Sequence, residues 1–147
     1  MKGSASIEML VILIVAIYMA AIVYKGVVIA GFQFAEDEFK TAMAKLAADK
    51  IANTAHFLKK SAPGTTKKVD ITLPSGVTLV CKKDSSYLEV TVDMTRTYTV
   101  CKKGECKKQM DLGLKCSNHW ELSGPVKKET IGMVKIGGDH IKIGVPE

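Results

Sequence analysis

From Met9 to Tyr24 the chain carries sixteen consecutive apolar residues, headed by a single carboxylate, Glu8. After Lys25-Gly26 the apolar character resumes from Val27 to Ala30, so as a helix the stretch can cross the ~30 Å core of a bilayer. Such a segment has to be covered by lipid or by other protein, and whatever folds outside it is built from the remaining residues. A carboxylate at the mouth of a bilayer-length helix costs on the order of a few kcal/mol, which makes Glu8 a functional candidate.

From Ser4 to about Lys60 there is no proline, and only Gly26 and Gly31 interrupt a helix-forming composition. One long helix with a softened middle is predicted. At 1.5 Å per residue it spans roughly 85 Å, so half of it lies outside the membrane. In that outer half Phe39, Met43, Leu46, Ile51, Ala55 and Leu58 recur at steps of three to five. Glu36, Asp37, Glu38, Lys40, Lys45, Asp49 and Lys50 fill the other positions, the pattern of an amphipathic helix seeking one apolar partner. Ser61-Ala62-Pro63-Gly64 ends it, because proline disfavours helical backbone in the residue before it and lacks the amide to continue.

Beyond Gly64 the period changes to two. Val69, Ile71 and Leu73 alternate with polar residues; after Pro74-Ser75-Gly76 come Val77, Leu79 and Cys81; after Asp84-Ser85 come Leu88, Val90, Val92 and Met94, and Tyr98 and Val100 continue. These predict a meander of short antiparallel strands with one buried face. Val134 to Ile136 and Ile141 to Val145 predict a later hairpin turning on Gly137-Gly138. The stretch from Gly104 to Gly124 has no strong period and reads as loop with short strand pieces. The expected organisation is residues 1–3 as a leader, 4–32 as the apolar helix, 33–62 as the amphipathic helix continuing into the head, and 63–147 as an antiparallel β head. The fold class is α+β: a long N-terminal helix packed on a small disulfide-braced antiparallel sheet.

Cys81, Cys101, Cys106 and Cys116 all lie in this second half, an even set in a chain that begins with an export-type segment. That favours disulfides in an oxidising exterior. Cys81 and Cys101, placed on strands either side of the Leu88 strand, would be roughly 10 Å apart, too far to bond. Alternation puts Cys81 on the apolar face and Cys101 opposite, so Cys101–Cys106 and Cys81–Cys116 is the preferred pairing. A zinc site from Cys101, Cys106, Cys116 and His119 is disfavoured by its wide spacing, and no metal or cofactor is expected.

The opening residues carry a motif. Lys2-Gly3, then Ser4-Ala5-Ser6-Ile7-Glu8, then the apolar run, resembles the processing site of archaeal type IV pilin-like precursors. In that family a membrane peptidase cuts after the leader glycine, a serine commonly stands third in the mature chain and a glutamate fifth. The resemblance implies cleavage between Gly3 and Ser4, with Ser6 third and Glu8 fifth; Ser4 departs from the frequent first residue, Gln. A basic leader stays cytoplasmic, so the cut leaves the apolar helix attached to the subunit. The new ammonium at Ser4 lies one helical turn from Glu8, which can neutralise it in its own chain or in a neighbour. In a filament the neighbour pairing fixes axial register where apolar contacts alone would allow sliding.

The resemblance therefore implies a filament subunit: a membrane protein before assembly, then part of an extracellular homopolymer, with the β head exposed for surface adhesion. Implied partners are a prepilin peptidase, an assembly ATPase with its membrane platform protein, and further copies of the chain. The net charge of +6 includes six Lys-Lys pairs beginning at Lys59, Lys67, Lys82, Lys102, Lys107 and Lys127. These allow contact with DNA or an acidic surface, but they are dispersed and lack interleaved aromatics, which fits solvated strand edges better. The alternative function is a membrane-tethered module whose basic head binds a polyanion without polymerising. His56, His119 and His140 have no carboxylate or serine constellation around them in the sequence, and no catalytic residues are assigned.

Overall fold

The computed structural model describes residues 4–95, 101 and 104–144. Lys2 and Gly3 of the expected processing site, the expected strand at Tyr98 and Val100, and the end of the expected last strand at Val145 lie outside the described residues. The chain falls into two compact units, divided between Glu36 and Asp37.

The first unit is helical. An α-helix, α1, runs from Ser4 to Val23 and gives way to one stretch of π-helix, Tyr24–Ile29, before a second α-helix, α2, Ala30–Lys59. The expected softening therefore takes the form of a π segment. It falls on Lys25-Gly26, where glycine gives the weakest local preference for α-helical backbone.

In the second unit, residues 37–59 of α2 bury Ala44, Ala47, Ala48, Ile51, Ala52, Ala55 and Leu58. This corrects the expected stripe: Phe39 and Leu46 are 59% and 53% exposed, Met43 is half-buried, and Asp37, expected among the solvated positions, is buried. The physical reason is size. The helix carries two apolar faces, and the alanine-rich one lets its backbone approach the sheets closely enough for Ile51 and Leu58 to reach their core. Asp37 is accommodated because its Oδ1 accepts the Thr95 amide at 2.8 Å.

The strands are β1 (Thr66–Leu73), β2 (Val77–Cys81), β3 (Tyr87–Asp93), β4 (Glu105–Asp111), β5 (Lys115–Cys116), β6 (Trp120–Ser123), β7 (Val126–Gly137) and β8 (His140–Gly144). They form two four-stranded sheets, β1-β7-β8-β5 and β4-β3-β2-β6. The single expected meander is corrected here. β2 and β3 do pair antiparallel, but β1 leaves for the other sheet and pairs with β7, and β5 runs parallel to β8. The change of sheet happens at Pro74-Ser75-Gly76. Gly76 has a left-handed φ of 76°, and a Cβ at Gly124 would land on the Pro74 carbonyl oxygen, so this corner admits only glycine at position 124.

Two further expectations change. The segment after Gly104 contains a full seven-residue strand, β4, which is half-exposed or exposed throughout and so lacks the apolar alternation that marks a buried strand. The last hairpin pairs Gly137 with His140, which moves the two-residue turn to Gly138-Asp139; Gly138 takes the left-handed φ of 54° that such a turn requires. Inward residues of both sheets (Val69, Ile71, Leu79, Leu88, Ile131, Met133, Ile141 and Ile143 among them) join Ile51 and Leu58 in one core.

The two disulfides are Cys81–Cys116 and Cys101–Cys106, with Cα–Cα separations of 6.3 and 4.7 Å. Their partners are those preferred from the sequence, although the strand beside β3 is β4 and Cys101 lies in a bend. Cys81 belongs to β2 and Cys116 to β5, so this bond ties one sheet to the other. The molecule is thus α+β, a long N-terminal helix with two small disulfide-braced sheets.

Candidate functional site

The segment headed by Glu8 is exposed along its length. Every large apolar side chain from Ile7 to Val27 is more than half exposed, ranging from 52% at Ile22 to 74% at Met9. Because these residues are consecutive, they cover every side of the helix, and a helix apolar all round belongs in lipid or inside a bundle. The helix is long and apolar enough to cross a membrane. With two disulfides in the same chain, this indicates a membrane-anchored or extracellular protein.

Ser4, Ser6 and Glu8 all fall within α1, and Glu8 is exposed. The structure places Ser4 and Glu8 four residues apart on one helix, a single turn, which is the spacing at which an amine and a carboxylate can meet along a helix face.

In the second unit the charged groups are arranged as supports. Thr130 Oγ1 donates to Asp70 Oδ1 at 2.7 Å and Lys128 Nζ lies 3.1 Å from Asp70 Oδ2. The threonine hydrogen bond first, and the lysine after it, hold the Asp70 carboxyl below its ordinary value. Lys82 does the same for Glu89 at 2.9 Å. Lys67 and Lys68 lie on β1 and Lys107 and Lys108 on β4, each the outermost strand at one end of its sheet. Lysines there discourage edge-to-edge pairing.

His119 approaches Glu121 at 3.9 Å on the surface, and His56 is exposed on α2. All four cysteines are held in disulfides, which removes the thiolates that the zinc arrangement needs. Trp120, on β6 opposite Cys81, is a buried core residue. An apolar groove of about 240 Å³ runs between Thr41, Ala44 and Ala48 of α2 and Val90, Val92, Met94 and Met110, with Lys107 and Lys108 among its lining.

Lys135 was not singled out by the sequence reading. It is buried on β7, and its Nζ donates to the carbonyl oxygens of Lys59 at 2.8 Å and Ser61 at 2.7 Å. A cation thereby takes up carbonyls left over at the C-terminus of α2, where the helix dipole is negative. The available signal was alternation, since Ile131, Met133 and Lys135 share one face of β7. No protein-family model, curated protein or solved structure matches this chain.

Proposed function

We propose that this chain is a subunit of an extracellular, type IV pilus-like filament, made as a membrane protein and assembled through its N-terminal helix. The observation that carries the reading is the apolar surface from Ile7 to Val27, bare on every side and headed by Glu8. Lipid can cover that surface before assembly and helices of neighbouring copies afterwards, and the same residues serve both states. The long helix and its small braced β head are compatible with a pilin-like fold.

In this reading a peptidase cuts between Gly3 and Ser4, and an assembly ATPase with its platform protein draws subunits from the membrane. The free Ser4 amine then meets Glu8 of an adjoining copy, which sets the axial register. The heads face outward, where they can adhere to surfaces.

The test is an intact-mass and N-terminal determination on material sheared from cells expressing the full chain, together with a Glu8→Ala variant. A chain beginning at Ser4 with four hydrogens missing is expected, and Glu8→Ala is expected to remain in the membrane while filaments disappear. A chain beginning at Met1 and found only in membranes would replace this reading with the tethered, polyanion-binding module.

A further inference from the structure

β4 is the outermost strand at one end of its sheet, and its far edge is open. On β3 the Asp93 amide donates to the Gly76 carbonyl on the β2 side, and the next amide, that of Met94, donates to Gly104 on the β4 side. Alternation along the ladder then turns the backbone groups of Cys106, Lys108 and Met110 toward β3, and those of Glu105, Lys107, Gln109 and Asp111 away from it. Among the described residues nothing bonds to the second set. Opposite residues share a face of a sheet, so Cys106, Lys108 and Met110, paired with Val92, Val90 and Leu88, lie on the core side. Helix α2 does not close over them: Thr41, Ala44, Lys45 and Ala48 stand across the groove of about 240 Å³. Lys108 is therefore a cation where alternation asks for an apolar side chain. Lys45 and Lys108 are exposed and have no ion-pair partner among the described residues, and no carboxylate lines the groove. The carboxylates of β4, Glu105 and Asp111, stand at its two ends.

We infer that β4 takes on an extended segment of another protein as a fifth, antiparallel strand, whether or not the chain polymerises. The segment carries an acidic residue opposite Lys108 and a large apolar residue two positions to either side of it. In such an addition the open backbone groups supply the main-chain hydrogen bonds and a groove takes alternate side chains. Residues set opposite Cys106 and Met110 fall on the groove side, where the flexible side chains of Met94 and Met110 can adapt to their shape. The residue between them faces Lys108, with Lys45 on the other wall. Size favours side chains over a whole small molecule, since the groove is smaller than the roughly 300–1,000 Å³ of pockets for such ligands. Charge disfavours a second copy. Both β1 and β4 carry adjacent lysines, and like charges set opposite one another destabilise a pairing. No strand of this chain places an acid between two large apolar residues at alternate positions.

The test titrates a fluorescein-labelled peptide, Thr-Ile-Thr-Glu-Thr-Ile-Thr, against the full chain in lipid nanodiscs. Anisotropy gives the affinity, and the methyl resonance of Met110 reports where the peptide binds. Paired antiparallel with its glutamate opposite Lys108, the peptide aims its threonine amides at β4 and its isoleucine amides away. Saturable binding that shifts the Met110 resonance is expected. Lys108→Glu, or methylation of the amide nitrogens of the two central threonines, is expected to weaken it by about tenfold or more. Methylation at the two isoleucines is expected to leave it unchanged, and a peptide with lysine in place of glutamate is expected to recover binding to the Lys108→Glu chain. No binding, equal effects of the two methylation patterns, or a Lys108→Glu chain that binds as tightly as the unaltered one would overturn the inference. A Met110 resonance shifted by decanoate and not by the peptide would overturn it in favour of an acyl chain, and association between copies that Lys108→Glu abolishes would overturn it in favour of a second copy.

Discussion

Single residues in this protein matter mainly where a charge is held by a specific partner. Lys135 is the sharpest case, a buried ammonium that binds two carbonyls at the end of α2. Lys135→Met keeps the stem volume and removes the donor. The expected cost is about 1.5–3 kcal/mol, the range for hydrogen bonds to a charged group. Chemical denaturation of the detergent-solubilised chain, followed by the fluorescence of its single tryptophan, Trp120, measures it. Asp70 gives a pH signature. Its folded-state pKa lies below the ordinary value because of Thr130 and Lys128. The linked stability is therefore fully present above the unfolded-state pKa and is lost as the pH falls through the folded one, below about pH 4. Thr130→Val is expected to lower stability at neutral pH and leave it unchanged in strong acid, which flattens the acid limb of the stability curve. An acid limb as steep as that of the unaltered chain would count against the hydrogen bond as the cause.

Among the elements, the two sheets are joined by a covalent tie as well as by their shared core. Each has four strands, and β5 and β6 are only two and four residues long. Cys81–Cys116 joins them across a separation of 35 residues, whereas Cys101–Cys106 spans five. By loop-closure entropy the first contributes about 3–4 kcal/mol and the second about 2. Replacing both Cys81 and Cys116 by serine is expected to lower the denaturation midpoint more than the same change at Cys101 and Cys106. Equal shifts would mean that native-state strain or residual unfolded structure, and not loop length, sets the contributions. Strands β1, β2 and β3 were readable because Val69-Ile71-Leu73, Val77-Leu79-Cys81 and Leu88-Val90-Val92 alternate cleanly. β4 was not, because Lys107 and Lys108 lie on a strand with no fully buried position.

For the molecule as a whole, the sequence by itself determined the division of labour. Sixteen apolar residues behind Glu8 admit only a helix in an apolar setting, since the backbone must satisfy its own hydrogen bonds there. The period of two beyond Gly64 admits only strands, and four cysteines in an exported type of chain favour disulfides. Glu8 is the candidate the sequence singles out, a charge where charge is expensive. What only the tertiary structure decided was partnership. Local periodicity records that a face is apolar and says nothing of what covers it. On α2 the bulky residues drew the eye to Phe39 and Leu46, while close packing chose the alanines. β1 could have paired with β2 across Pro74-Ser75-Gly76, but it pairs with β7. Burial of Asp37 and Lys135 depends on partners 58 and more than 70 residues away in the chain. Contacts at that distance are set by the free energy of the whole core, to which no short window of sequence has access.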